Sequence, residues 1–289
     1  MISSLWRQSS QCALRQHVGR RSFHPTTIAA SALTNSGTDY DTIADDYHKV
    51  KENPLKKYSE EFTVFKLVGD VKGKSVLDLA CGDGYYTRKF GSLGAKRVLG
   101  VDLSAEMVER AKAQDTDLTN VEYRVGDASG IDGASQNSFD LVTAVYLLQY
   151  APNEEALRGM MKAASDNMTA DGMVLFVTQN PNVTDPQLEA QLEHYGVDIQ
   201  LSADRKDGTP AKTIIPFPGG GALTLDHFHW TKSTIDKNLA LVGFESIAWH
   251  DMEVAAAGTV KYGASFWKAY LDYDAGTSIV VIECRKKKS

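Results

Sequence analysis

Between residues 75 and 179 the chain alternates short apolar runs with stretches whose apolar positions recur every three to four residues. The runs predict strands at 75–80, 96–102, 121–126, 139–146 and 172–179, and the intervening periodic stretches predict helices at 85–93, 104–114 and 153–168. Ser104 and Asn153 stand where N-cap residues belong, and Glu154 and Glu155 carry the charge that suits a helix start. Strand and helix in alternation with short connections imply an α/β fold with a doubly wound parallel sheet. Two helices are expected ahead of the sheet, at 39–47 and at 54–68, the second opened by Pro54. The pattern breaks from 181 to 230, a segment with Pro181, Pro186, Pro210, Pro216 and Pro218 that is too long for an ordinary connection. It reads as an insertion over the mouth of the sheet, ordered in part by a helix at 187–195. A helix at 231–242 and strands at 244–249 and 278–284 complete the pattern.

Composition narrows the class. With 289 residues, 43% hydrophobic and 24% charged, one core is enough, and no apolar run approaches the length of a membrane span. Cys12, Cys81 and Cys284 lie far apart, without the spacing of a metal site, so no metal is expected. Residues 1–38 hold four arginines, many serines and no acidic residue, the bias of a mitochondrial transit peptide; a disordered leader is the other reading. Without them the formal charge falls from −6 to −10. A surface of that sign repels polyphosphate, so no nucleic-acid partner is expected.

The chemistry concentrates at Val76-Leu77-Asp78-Leu79-Ala80-Cys81-Gly82-Asp83-Gly84, followed at the end of the next strand by Asp102. Gly82 and Gly84 permit a tight turn and close approach of a ligand, and Asp102 is placed to accept hydrogen bonds from both hydroxyls of a ribose. A dinucleotide fingerprint would put a third glycine where Thr87 stands, which disfavours NAD. A loop containing Asp78 and Asp83 suits a cationic nucleoside without phosphates better than a diphosphate.

The Asp78, Gly82, Gly84 spacing with Asp102 downstream resembles motif I and the ribose-binding acid of the class I S-adenosylmethionine-dependent methyltransferases. Gly126-Asp127-Ala128 is similar to their adenine contact, and Phe139 to Tyr146 to the strand that ends beneath the transferring methyl. The likeness runs in order over roughly residues 40–285, within a methyltransferase domain expected at 39–289. It implies a Rossmann-like seven-stranded sheet whose last strand is antiparallel, S-adenosyl-L-methionine as cofactor, and a cofactor site drawn from Tyr47, Asp78, Ala80, Gly82, Gly84, Asp102, Leu103, Met107, Asp127, Ala128 and Val145. Tyr47 would supply a lid from the helical cap at 39–70. Segments such as Asp39-Tyr40-Asp41 and Tyr58-Ser59-Glu60 resemble the toxoflavin-synthase-like branch, which implies a small azaheterocyclic acceptor.

In-line methyl transfer needs mostly alignment, with a base adding a factor of roughly 100 to 10,000. His229, in His227-Phe228-His229-Trp230, is the candidate base beside an aromatic wall, with Tyr146 the other candidate catalytic residue. The motif for amide or nucleobase nitrogens is missing, since Ala144-Val145-Tyr146-Leu147 stands in its place. The expected reaction is methylation of an oxygen or nitrogen on a small aromatic or heterocyclic metabolite. Two alternatives stay open: a mitochondrial quinone-pathway methyltransferase, and a non-catalytic assembly factor that only holds the cofactor.

Overall fold

The computed structural model describes residues 53–115, 117–130, 137–217 and 221–286. The leader, the first expected helix and Tyr47 lie outside them. A π-helical turn, Lys56–Glu60, runs directly into helix α1, Glu61–Val68. The central elements follow as β1 (Ser75–Leu79), α2 (Tyr85–Ser92), β2 (Arg97–Asp102), α3 (Ala105–Gln114), β3 (Val121–Val125), β4 (Phe139–Val145), α4 (Glu154–Asn167) and β5 (Met168–Gln179). Then come α5 (Asp185–Tyr195), β6 (Asp198–Leu201), β7 (Thr209–Pro216), β8 (Ala222–His229), α6 (Lys232–Leu241), β9 (Ser246–Asp251), α7 (Ala256–Tyr262), α8 (Ala264–Leu271) and β10 (Ile279–Arg285).

Seven strands form one sheet in the order β3-β2-β1-β4-β5-β10-β9. The pairs from β3 to β5 are parallel, and β10 runs antiparallel between β5 and β9. Alternation along each strand feeds two cores. Leu77, Val174, Phe176 and Ile282 face α4 and α6, whereas Val76, Leu175, Val177 and Val281 face α1, α2 and α8. Each fully buried aliphatic side chain of this kind contributes roughly 1.5–3 kcal/mol. The expected caps are present: Ser104 Oγ accepts from Met107 N at 3.0 Å and Asn153 Oδ1 from Ala156 N at 2.9 Å.

The segment 181–230 is more ordered than its prolines suggest. After α5, strands β6, β7 and β8 form a separate antiparallel sheet. Pro210 and Pro216 sit near the two ends of β7, where β8 is the partner and a missing N–H costs little. The period-two pattern of Ala211, Thr213 and Ile215 was broken in the sequence by those prolines, and this hid the strand.

Candidate active site

Chain order reverses between β1 and β4, and the crevice outside the carboxyl ends of the parallel strands opens at that switch point. Both strands end in backbone that L-residues rarely adopt: Ala80, just after β1, has φ 55° and Tyr146, just after β4, has φ 60°. Such strain collects where geometry serves a ligand.

The loop after β1 is held from below and from the side. Asp78 is only 2% exposed; its carboxylate accepts from Thr87 Oγ1 at 2.6 Å and Thr143 Oγ1 at 2.8 Å. This explains why a threonine stands in place of a third glycine. Burial raises the Asp78 carboxyl to about 6, and the two hydroxyls hold it from going higher. Asp102 Oδ2 accepts from Gly82 N at 2.7 Å and Oδ1 from Ser104 N at 3.0 Å, so the acid expected at a ribose also ties the glycine loop to the end of β2. Gly84 has φ 79°, and a Cβ there would lie 2.7 Å from the Tyr123 hydroxyl.

Across the groove, Leu103 is 74% and Val125 54% exposed, two apolar side chains left in the open at adjacent strand ends. They offer faces for a flat base. Ala128 is buried beside them in sequence order, and Asp127 Oδ1 accepts from Ser129 N and Oγ, both at 2.8 Å. A glycine cradle that a Cβ would fill, an acid at the end of β2 and an apolar rim fit S-adenosyl-L-methionine. Asp78 would act on its ammonium through the field rather than by contact. Met107 is fully buried under α3, so its side chain presents no surface to the groove, whereas Val145 is only partly buried, against the core on the α2 side.

A second space lies beyond β4 and β5. It encloses about 950 Å³ including its open mouth and is mostly apolar, walled by Val197, Ile199, Ile215, Leu223, Leu225 and Ile279. Polar groups reach it at few points. Gln179 Nε2 donates to Thr213 Oγ1 at 2.9 Å, and Gln149 lines the wall nearby. At the end beneath β4, Tyr146 donates its hydroxyl to Glu60 Oε2 at 2.5 Å, and Glu60 Oε1 accepts from Lys56 Nζ at 2.6 Å and Tyr86 Oη at 2.7 Å.

Neither His227 nor His229 lines the cavity directly. His229 is 7% exposed, lies off the cavity wall, and burial beside the Arg205 guanidinium holds its pKa below the usual value. His227 is the one joined to the cavity, its Nε2 lying 2.9 Å from Thr213 Oγ1; burial lowers it to about 4, so it stays neutral. Trp230 is no substrate wall either: its Nε1 donates to Ala151 O within the core. Glu60 and Gln179 were not singled out as site residues, because Tyr86, Tyr146 and Thr213, which they meet, are remote in sequence.

Residues 76–172 match a family model described as a methyltransferase domain. An uncharacterized protein of Haemophilus influenzae is 26% identical over 72% of this chain and 82% of its own length. The ubiquinone biosynthesis O-methyltransferase of Neisseria meningitidis serogroup C is 31% identical over 39% of this chain, which spans about half, 47%, of that enzyme. Among solved structures, an S-adenosylmethionine-dependent methyltransferase from Clostridium acetobutylicum superposes with a TM-score of 0.57 at 18% identity, covering 86% of this chain and 99% of that one. The DhpI–SAM–HEP complex gives 0.54 at 20% identity, covering 85% and 94%.

Proposed function

The chain belongs to the class I S-adenosylmethionine-dependent methyltransferases, and from that premise we propose that it methylates a proton-bearing oxygen or nitrogen on a small, largely apolar ring compound. The observation that carries this reading is the cavity beyond β4 and β5, whose exposed lining is mostly apolar and which Tyr146, just after the end of β4, helps to line. Largely apolar pockets with a small number of placed polar groups take small ligands and orient them by those polar contacts. Asp102, the Gly82–Gly84 loop and the Leu103 rim would hold the cofactor, which supplies an electrophilic methyl. Tyr146 and Gln149 would orient the acceptor at its mouth.

The residues of the cavity do two things for the reaction. They align the acceptor atom, which is worth up to about 7–11 kcal/mol of barrier, and they keep water from the crevice. A panel of phenols, quinols and N-heterocycles, assayed with methyl-labelled cofactor, tests the reading. Transfer to a neutral ring acceptor that is lost on filling the cavity with Leu225→Trp supports it, and transfer only to macromolecules overturns it.

A second reading, O-methylation of a ring on the route to ubiquinone, is favoured by the name of the Neisseria relative and by the apolar wall, which suits a hydrocarbon substituent. With it goes a mitochondrial location through residues 1–38, which an import assay with and without those residues would test.

A further inference from the structure

We propose that Glu60 is the terminal proton acceptor of the transfer, reached from the acceptor through the phenol of Tyr146, with Lys56 as its fixed counter-charge. This rests on the reading of the cavity as the acceptor site. Glu60 is 4% exposed and yet lines that cavity, together with Lys56 and Tyr146. Three donors converge on it: Lys56 Nζ at 2.6 Å, Tyr86 Oη at 2.7 Å and Tyr146 Oη at 2.5 Å. The turn that carries both charges is π-helical, a rare form found frequently at functional sites, and it places Lys56 and Glu60 on one side at i and i+4. On the opposite wall, Tyr146 is held at φ 60°, which aims the phenol from the end of β4 toward the turn. Two backbone irregularities on remote segments thus serve one contact. A merely structural ion pair would need neither of them.

The groups facing Glu60 are Lys56 on its own turn, Tyr86 from α2, Tyr146 from the end of β4 and Tyr270 from α8. None is a second carboxylate, and the nearby Glu61 is itself paired with Lys89 at 2.6 Å. The two histidines serve less well. His229 lies off the cavity wall, and His227 reaches it only behind Thr213.

The balance of the step is simple for a phenolic acceptor. Its O–H proton passes to Tyr146 Oη as the proton of Tyr146 passes to Glu60 Oε2. The acceptor oxygen bonds the methyl carbon while the C–S pair stays on sulfur. One positive charge is lost at the sulfonium and one negative charge at Glu60, so the crevice ends with the same net charge. The Lys56 ammonium, now facing a neutral acid, favours release of the proton to solvent. Tyr146 is the catalytic residue in this scheme, and Glu60 acts through it.

The test compares the wild type with Tyr146→Phe, Glu60→Gln and the double variant. The acceptors are phenol and 4-nitrophenol, at a pH between their two ionisations, with kcat followed over pH. S-adenosylhomocysteine binding by calorimetry serves as the second readout. The relay predicts a loss of at least about 100-fold with phenol in each single variant and no further loss in the double. It also predicts a loss with ionised 4-nitrophenol at least about tenfold smaller than that with phenol, a phenol defect that shrinks as pH rises, and unchanged S-adenosylhomocysteine affinity. Tyr146→Phe cuts the path without changing charge, so the result does not hinge on freeing Lys56. Equal losses with both acceptors, additive losses or a defect that is flat in pH overturn the relay while leaving the acceptor cavity intact. Failure of the wild type itself on both phenols overturns the O–H reading and the relay together.

Discussion

Asp102 joins two tasks that are usually separate, since the carboxylate expected to bind a ribose also accepts the Gly82 N–H. Asp102→Ala therefore removes ligand contacts and the anchor of the loop at once. Charge-assisted bonds are worth roughly 1.5–3 kcal/mol each, so S-adenosylhomocysteine affinity should fall by more than about 10-fold, read by calorimetry. Asp78 predicts a pH effect instead. Its carboxyl protonates near 6 in the fold against 3.8 unfolded, so its contribution to stability is complete below pH 3.8 and is lost as pH rises through 6. The swing is on the order of 3 kcal/mol. A ligand ammonium in the crevice opposes this by favouring the ionised acid. Cofactor affinity should accordingly weaken as pH falls below about 6, and Asp78→Asn should flatten that dependence while stabilising the apo fold at pH 8. Denaturant unfolding of both proteins across pH checks the second part, and a variant no more stable than wild type at pH 8 would contradict it.

At the scale of elements, the loop between β1 and α2 owes its path to conformations that side chains resist. Gly84→Ala meets both a φ of 79° and the Tyr123 hydroxyl at 2.7 Å, and should cost about 1–3 kcal/mol in unfolding experiments, with cofactor affinity falling alongside. Strand β8 lines the cavity proposed for the acceptor instead. Leu223→Ala or Leu225→Ala should move preference toward bulkier rings with S-adenosylhomocysteine affinity held within about twofold, since neither residue approaches the groove. The same division decides what could be read from the chain. Strands β1 to β5, the caps Ser104 and Asn153, and the Asp78 to Asp102 spacing are local signals, and they were legible. Strand β7 was masked by its two prolines, and without it β6 and β8 lack a partner. The sequence favours His229 for its neighbours Phe228 and Trp230, but both histidines lie on one face of β8, and only the packing of β7 decides that His227 meets Thr213. Glu60 gathers partners from α2 and the end of β4, and no local pattern announces that.

Over the whole molecule the two halves of the crevice have different builders. The cofactor groove comes from β1, β2 and β3, whereas the acceptor cavity draws on the π-turn, the ends of β4 and β5, the small sheet and β10. A ligand that binds only the folded groove adds stability by mass action, about 2.7 kcal/mol at a hundredfold excess over its Kd. For a chain of this size S-adenosylhomocysteine at that level should raise Tm by roughly 5–11 °C, and by far less in Asp102→Ala. A large shift in NAD instead would contradict the assignment of the cofactor.

The position of β10 has a consequence for how the protein is made. This strand lies between β5 and β9 and carries Ile279 into the cavity wall, yet it follows both of them in the chain. A nascent chain can pair β1 through β5 early, but β5 and β9 wait with bare edges for a neighbour of high sequence separation. The nucleoside-holding half is therefore complete while its counterpart is still a template without its central strand, and it is in this interval that the newborn chain most needs protection from self-association.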